Sequence, residues 1–171
     1  METQELILFN LSLNLIRYFV FAGIAYFIFY IIKNSAWSAK KIQAKYPDSK
    51  QILSEIKNSL ISILIFAFVG LAIFTLNKLG LTKIYVDFNK HSLWYTFLSL
   101  FIYILWHDTY FYWSHRALHH PKLMKFHVIH HKSHNTTPFT SFSFDPVEAL
   151  VQTGFLVLFL LYRFTFLHLL L

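Results

Sequence analysis

Four apolar blocks, parted by polar stretches, set the frame of the chain. The first runs roughly from Leu6 to Ile32, enough to span a bilayer with some tilt. It contains Asn10, Asn14 and Arg17, which are costly in lipid. Either Arg17 faces a helix bundle, or the span starts later, or the arginine is interfacial with its stem among the acyl chains. Lys33 to Lys57 is polar, and "KYPDSK" within it predicts a turn. "SEIKNS" predicts a helical lead into the second apolar block, Leu60 to Leu76, which spans if Ser59 and Asn77 lie at the interfaces. After the polar "NKLGLTKIYVDFNKH", the third block opens near Leu93 and stays apolar to Trp106. It continues with helical periodicity as "HDTYFYWSHRALHH", and Pro121 ends or kinks that helix. The fourth block runs from Val147 to Leu171. The pattern predicts an all-α polytopic membrane protein of about four transmembrane helices. Glu2 and Glu5 stand where a cleavable signal would be basic, and the apolar run is long, so the opening block is expected to stay as a span. There is no internal repeat and no low-complexity tract.

Composition agrees. Hydrophobic residues make up 56% of the 171 and charged residues 13%, too apolar for an ordinary soluble domain of this size. The net charge of +7 does not come with a basic–aromatic RNA-binding module, so nucleic acid is not an expected partner. Most lysines flank apolar blocks, where membrane topology accounts for them. The stretch 33–57 carries six lysines (33, 40, 41, 45, 50 and 57) against Asp48 and Glu55, which predicts a cytoplasmic loop. Counting spans from it places 78–91 and the amino terminus outside and 107–145 in the cytoplasm. Lys78, Lys83 and Lys90 in the second loop reduce the asymmetry without reversing it.

The candidate chemistry lies in "HRALHHPKLMKFHVIHHKSH", residues 115–134. Eight of the ten histidines fall between His107 and His134, and there is no cysteine. Disulfides, thiolate metal sites and thiol catalysis are therefore excluded, and any metal needs nitrogen or oxygen ligands. At 100° per residue, Asp108, Tyr112, His115 and His119 share one helix face. His127, His130, His131 and His134 share another. Two such stripes on facing helices could enclose a metal, and neutral imidazole suits iron, zinc, copper or nickel. Clustering by composition alone and a pH-sensing cluster are the bland alternatives. Asp108 is read as a carboxylate behind a ligand rather than a direct ligand. His91 and His168 are read as structural. His107, His120 and His134 stay open, as does whether Arg116 and Glu148 form a buried pair. No HExxH or ExxH motif is present, which disfavours a zinc protease and a soluble carboxylate di-iron bundle. Imidazoles at a bilayer surface suit oxidation of lipid chains, whose unactivated C–H bonds need a redox metal and dioxygen.

These residues carry a resemblance. "HDTYFYWSHRALHHPKLMKFHVIHH" followed by "SHNTTPFTSFSFDPVEA" resembles the fatty acid hydroxylase/sterol desaturase superfamily, its bacterial sterol-desaturase-like branch above all. The resemblance covers about residues 40–155 and is strongest over 107–150. It implies an integral membrane oxidoreductase with a non-haem di-iron centre that hydroxylates or desaturates a lipid: a sterol, a fatty acid or a related molecule. It also implies dioxygen and a cytoplasmic electron-transfer protein as partners. The family's HRxxH box matches His115 and His119, its HxxHH box matches His127, His130 and His131, and its preceding aspartate matches Asp108. Members often carry histidine where this chain has Asp145, and a third HxxHH box is expected downstream. The chain is therefore expected to be truncated, with 1–90 holding membrane helices and the basic loop and 91–171 a hydroxylase-like part. The alternatives are a catalytically incomplete metal-binding fragment and a bis-histidine haem membrane protein. A homodimer could pool ligands from two chains.

Overall fold

The computed structural model describes residues 3–32, 45–85 and 91–157, and these form helices and turns. Residues 1–2, 33–44, 86–90 and 158–171 lie outside the described set. With them go Lys33, Lys40, Lys41, Lys90, His168 and most of the fourth apolar block.

Helix α1 (Thr3–Tyr26) continues through a wider π-helical turn, Phe27–Ile32. Helix α2 (Ser49–Lys78) starts at the predicted turn, where the Asp48 carboxylate accepts from the Gln51 N–H and satisfies an otherwise orphaned donor. It is one 30-residue helix, so "SEIKNS" and the second apolar block belong to the same element. Helix α3 (Leu93–Leu118) is capped by the Ser92 hydroxyl and ends at His119, two residues before Pro121.

Two helices are long and apolar enough to cross a membrane, Gln4–Ile32 and Ser49–Lys78. Only 11% and 33% of their apolar windows are buried against the rest of the chain. Core helices of a soluble protein would be mostly covered, so these exposed apolar faces want lipid. The outward side of α3 is similar, with Leu93, Trp94, Phe97 and Phe101 all more than half exposed.

The packed interior is small. Tyr18 and Ala22 of α1 meet Ile63 of α2, with Phe139 and Phe142 closing over them. Those phenylalanines belong to a 3₁₀ turn, Pro138–Phe142, started by a reciprocal Thr137–Thr140 cap. The turn is tied down from both helices: the Tyr18 and Ser59 hydroxyls both donate to the Phe139 carbonyl, at 2.9 and 3.1 Å. Beside it Glu55 is buried, taking hydrogen bonds from Thr137 Oγ1 (2.7 Å) and Gln51 Nε2 (2.8 Å). Farther along, helix α5 (Pro146–Gln152) and the turn Thr153–Val157 lie on α3. There Trp106 Nε1 donates to the Phe155 carbonyl and Tyr110 Oη to that of Val151, both at 2.8 Å. Gly154 permits this approach, since a Cβ there would sit 2.1 Å from Tyr110 Oη.

One sequence expectation changes. The stripe of His127, His130, His131 and His134 does not lie on a single long helix. A 3₁₀ turn (Met124–Phe126) leads into His127, and helix α4 is one turn, Val128–His131. His134 lies beyond it. Downstream the Thr137 hydroxyl takes the Phe139 N–H to cap the next turn, and Pro138 bars continuation of helix α4.

Candidate metal centre

His115 and His119 stand one turn apart at the end of α3, with their Nε2 atoms 3.2 Å apart. The HxxxH spacing dictates this, since residues i and i+4 are neighbours on a helix surface. The chain then doubles back through Pro121 and delivers His127 against the same spot. One ring nitrogen each of His115, His119 and His127 lies within 4.8 Å of the others. His130 and His131 complete the group. The His127 ring is the hub, with centroids 4.6 Å from His115 and His131, 4.9 Å from His119 and 5.3 Å from His130.

His127 is wholly buried and its Nδ1 lies 2.8 Å from an oxygen of Glu148, also wholly buried. That pairing leaves Nε2 to face the other imidazoles. Among the described residues, His127 Nε2 and His130 Nδ1 are buried without a hydrogen-bond partner. Native structures rarely leave buried polar atoms unmatched, so both nitrogens are suited to a ligand such as a metal ion. Burial above all, then the surrounding imidazoles, pushes His127 down to about 4, and the same causes lower His115 and His130. These rings are therefore neutral at physiological pH, which is the form that binds metal.

The residues fit a metal site. Metal–nitrogen bonds of about 2.0–2.1 Å hold adjacent donor atoms roughly 3 Å apart, and His115 and His119 already have that separation. The donors are all imidazole, acceptable to iron, zinc, copper and nickel alike. A carboxyl group behind a ligating histidine fixes the orientation of its ring, and Glu148 occupies that position toward His127, its own carboxyl pushed up to about 8 by burial.

The sequence reading gave that part to Asp108. The structure places Asp108 almost two turns up α3 from His115, with its side chain 74% exposed and 3.2 Å from His107 Nδ1. Tyr112, on the same face, accepts from Arg116 Nη1 at 2.8 Å. Arg116 thus pairs on the surface and Glu148 inside, away from each other. His120 Nδ1 accepts from the Lys122 N–H, apart from the cluster. Glu148 was missed because it is 21 residues from its partner. A faint signal was available: an acid following "FDP" at the start of an apolar helix, where Asp145 already serves as the cap.

The rings lean on aromatic walls. Phe111 stacks on His115 and Phe144 lies against His130, with centroids 5.8 and 5.5 Å apart. Both phenylalanines also line a cavity of about 550 Å³ between α1, α2, α3 and the residues after Thr140. The histidines therefore sit beyond one wall of a mainly apolar chamber, and His119 and His131 of the group are exposed.

Comparison with known proteins agrees with this geometry. The fatty acid hydroxylase family profile matches residues 100–171. The chain is 32% identical over 139 residues to the Delta(7)-sterol 5(6)-desaturase of Leptosphaeria maculans, covering 79% of this chain and 36% of that protein. It is 35% identical over 106 residues to a Delta(7)-sterol 5(6)-desaturase of Aspergillus fumigatus, covering 60% and 31%. It is 29% identical over 114 residues to the lathosterol oxidase of Homo sapiens, covering 64% and 38%. The chain thus spans between about three tenths and two fifths of these relatives' lengths. No solved structure matches it. On the two histidine boxes, the profile match and these relatives together, the chain belongs to the fatty acid hydroxylase/sterol desaturase superfamily.

Proposed function

We propose that the chain forms the histidine-rich part of an integral membrane oxidoreductase that uses non-haem iron, in a di-iron centre, and dioxygen to desaturate or hydroxylate a lipid, with a sterol as the first class to test. His115, His119, His127, His130 and His131 would hold the metal. Residues 1–90 supply membrane helices and the basic loop, and 91–171 the hydroxylase-like part. The observation that carries this reading is the convergence of five imidazoles on a buried, unmatched His127 Nε2 beside an apolar chamber.

Bound iron would supply the redox chemistry by which dioxygen attacks an unactivated C–H bond. This chain's residues do the rest. Glu148 holds the His127 ring in one orientation. Phe111 and Phe144 wall the rings off from the chamber on the lipid side and exclude water there. Asp108 and His107, exposed on the approach along α3, are assigned an outer supporting role. Electrons would come from a soluble partner on the aqueous side, where His119 and His131 are exposed.

The test is the full chain in mild detergent, assayed for metal and optical absorption and then supplied with oxygen, a reductant, an electron-transfer protein and a 3-hydroxysterol. Bound iron without a Soret band, and an oxidised sterol detected by mass spectrometry, are the expected results. A Soret band would instead identify a bis-histidine haem protein.

We also place the site in the cytoplasm, with four spans overall. The lysines of 33–57 and the shared end of α1, α2 and α3 at which the histidines lie support this. Reporter fusions after Lys45 and after Lys132 should both read cytoplasmic, and an external signal from either would reverse the orientation.

A further inference from the structure

Glu148 spends one carboxyl oxygen on His127, 2.8 Å from its Nδ1. The other oxygen, Oε2, is buried without a hydrogen-bond partner, and so is Gln152 Nε2. The two residues stand four apart on helix α5, where side chains on one face are neighbours. Both are more than nine-tenths buried, Glu148 at 0% and Gln152 at 8% exposed. An acceptor and a donor one turn apart, each buried and unmatched, complement one another, and native structures rarely leave such groups apart.

Neighbouring contacts fix the backbone around Gln152. Tyr110 Oη donates to the carbonyl of Val151, and Trp106 Nε1 to that of Phe155, both at 2.8 Å. Thr153 Oγ1 donates back to the Leu150 carbonyl at 2.7 Å. Ser114 Oγ reaches Gln152 Oε1 from α3 at 3.4 Å. The amide can then turn only about its own side-chain bonds, and such a turn brings it onto Glu148. Burial first, then Asp145, raise the Glu148 carboxyl, and the Gln152 amide draws it the other way, so the two groups already feel each other.

A carboxamide suits this place. It offers both N–H donors and a carbonyl acceptor. Turned one way it accepts from a protonated Glu148, and turned the other way it donates to an ionised one. A carboxyl held at one oxygen pivots about that contact, whereas one held at both does not. The His127 ring follows the carboxyl, and the direction of its Nε2 follows the ring.

We propose that Gln152 is a positioning residue of the histidine centre: its carboxamide holds the second oxygen of Glu148, and through Glu148 keeps His127 Nε2 aimed at the other imidazoles. The effect on metal binding rests on the proposed metal centre, but the effect on the ring does not.

The experiment uses the full chain in mild detergent and the substitution Gln152→Met, which keeps length and volume and removes the hydrogen bonds. One readout is the rate at which the proton shared by His127 Nδ1 and Glu148 exchanges with water in the metal-free chain. Nuclear magnetic resonance with isotope-labelled histidine reads it, assigned by its loss in His127→Ala. The other readout is iron(II) affinity, by chelator titration without oxygen. Gln152→Met should speed the exchange about tenfold or more and weaken iron binding about three- to tenfold, less than the loss of Glu148 itself. In a Glu148→Ala background the same substitution should change iron affinity by less than about twofold, because a residue that acts through Glu148 then has nothing to act on. If Gln152→Met does not purify intact, Gln152→Asn, which withdraws the amide by one methylene, is judged by the same criteria. Parent-like exchange overturns the proposal. So does an equal loss of iron affinity with and without Glu148, which would show that Gln152 only packs. Faster exchange in a chain whose parent holds no iron keeps the positioning role and sinks the metal reading. Iron held by the parent, with exchange unchanged by Gln152→Met, does the reverse.

Discussion

His127→Ala should purify with less than a tenth of the parent's iron after equal dialysis, the largest loss of any single histidine. Its ring is fully buried and lies within about 5 Å of four others, so its loss removes the one imidazole that all the rest of the group surround. Glu148→Gln isolates the supporting carboxyl group. Burial pushes the Glu148 carboxyl up to about 8, so the amide keeps its shape and volume and removes only the acid that could ionise behind a metal-bound His127; losing such a partner ordinarily lowers metal affinity by about 10–100-fold. His130→Ala and His131→Ala should fall between these and the parent. Metal analysis across a chelator titration reads all four. If His127→Ala holds iron as the parent does, the centre is not where the imidazoles converge.

Glu55→Ala should be the most destabilising substitution away from the histidines. Glu55 is 2% exposed and accepts from Thr137 and Gln51. Truncation strands the buried Thr137 hydroxyl, at about 1–3 kcal/mol, while Gln51 Nε2 keeps the Asn135 carbonyl. It also loosens the Pro138–Phe142 turn, which Tyr18 and Ser59 hold by its Phe139 carbonyl. Glu55→Gln keeps one acceptor oxygen and should lose less. Thermal unfolding in one mild detergent gives the comparison, and a melting temperature for Glu55→Ala equal to the parent's would show that the carboxyl anchors nothing. Iron affinity should fall with stability, because the same turn follows directly on the second histidine box.

The parts of this molecule that depend on local spacing were readable from the chain alone. Apolar block length located α1 and α2, and the i, i+4 rule put His115 and His119 side by side. What depends on distant partners was not. Periodicity sees only residues on one helix, so it placed Asp108 on the face of His115 and gave no sign that Glu148 arrives at His127 from another element. It also extended the second box into a helix that ends after a single turn. Glu55 read as one acid in a basic loop because its hydroxyl partner is 82 residues away. Arg17 had several readings, and the structure places it on the wall of the chamber.

The contacts that hold the Pro138–Phe142 turn bear on the order of assembly. Its anchors on α1 and α2 lie 121 and 80 residues upstream, on segments made and inserted first. The second histidine box emerges from the ribosome with no local helix long enough to hold its shape. It becomes a ligand set only when the turn docks on the finished α1–α2 hairpin. Metal loading should therefore follow membrane insertion. A free peptide covering 115–134 should bind iron weakly and without the neutral, buried His127 that defines the intact centre, which would spare the cell a redox-active ion on an unfinished chain.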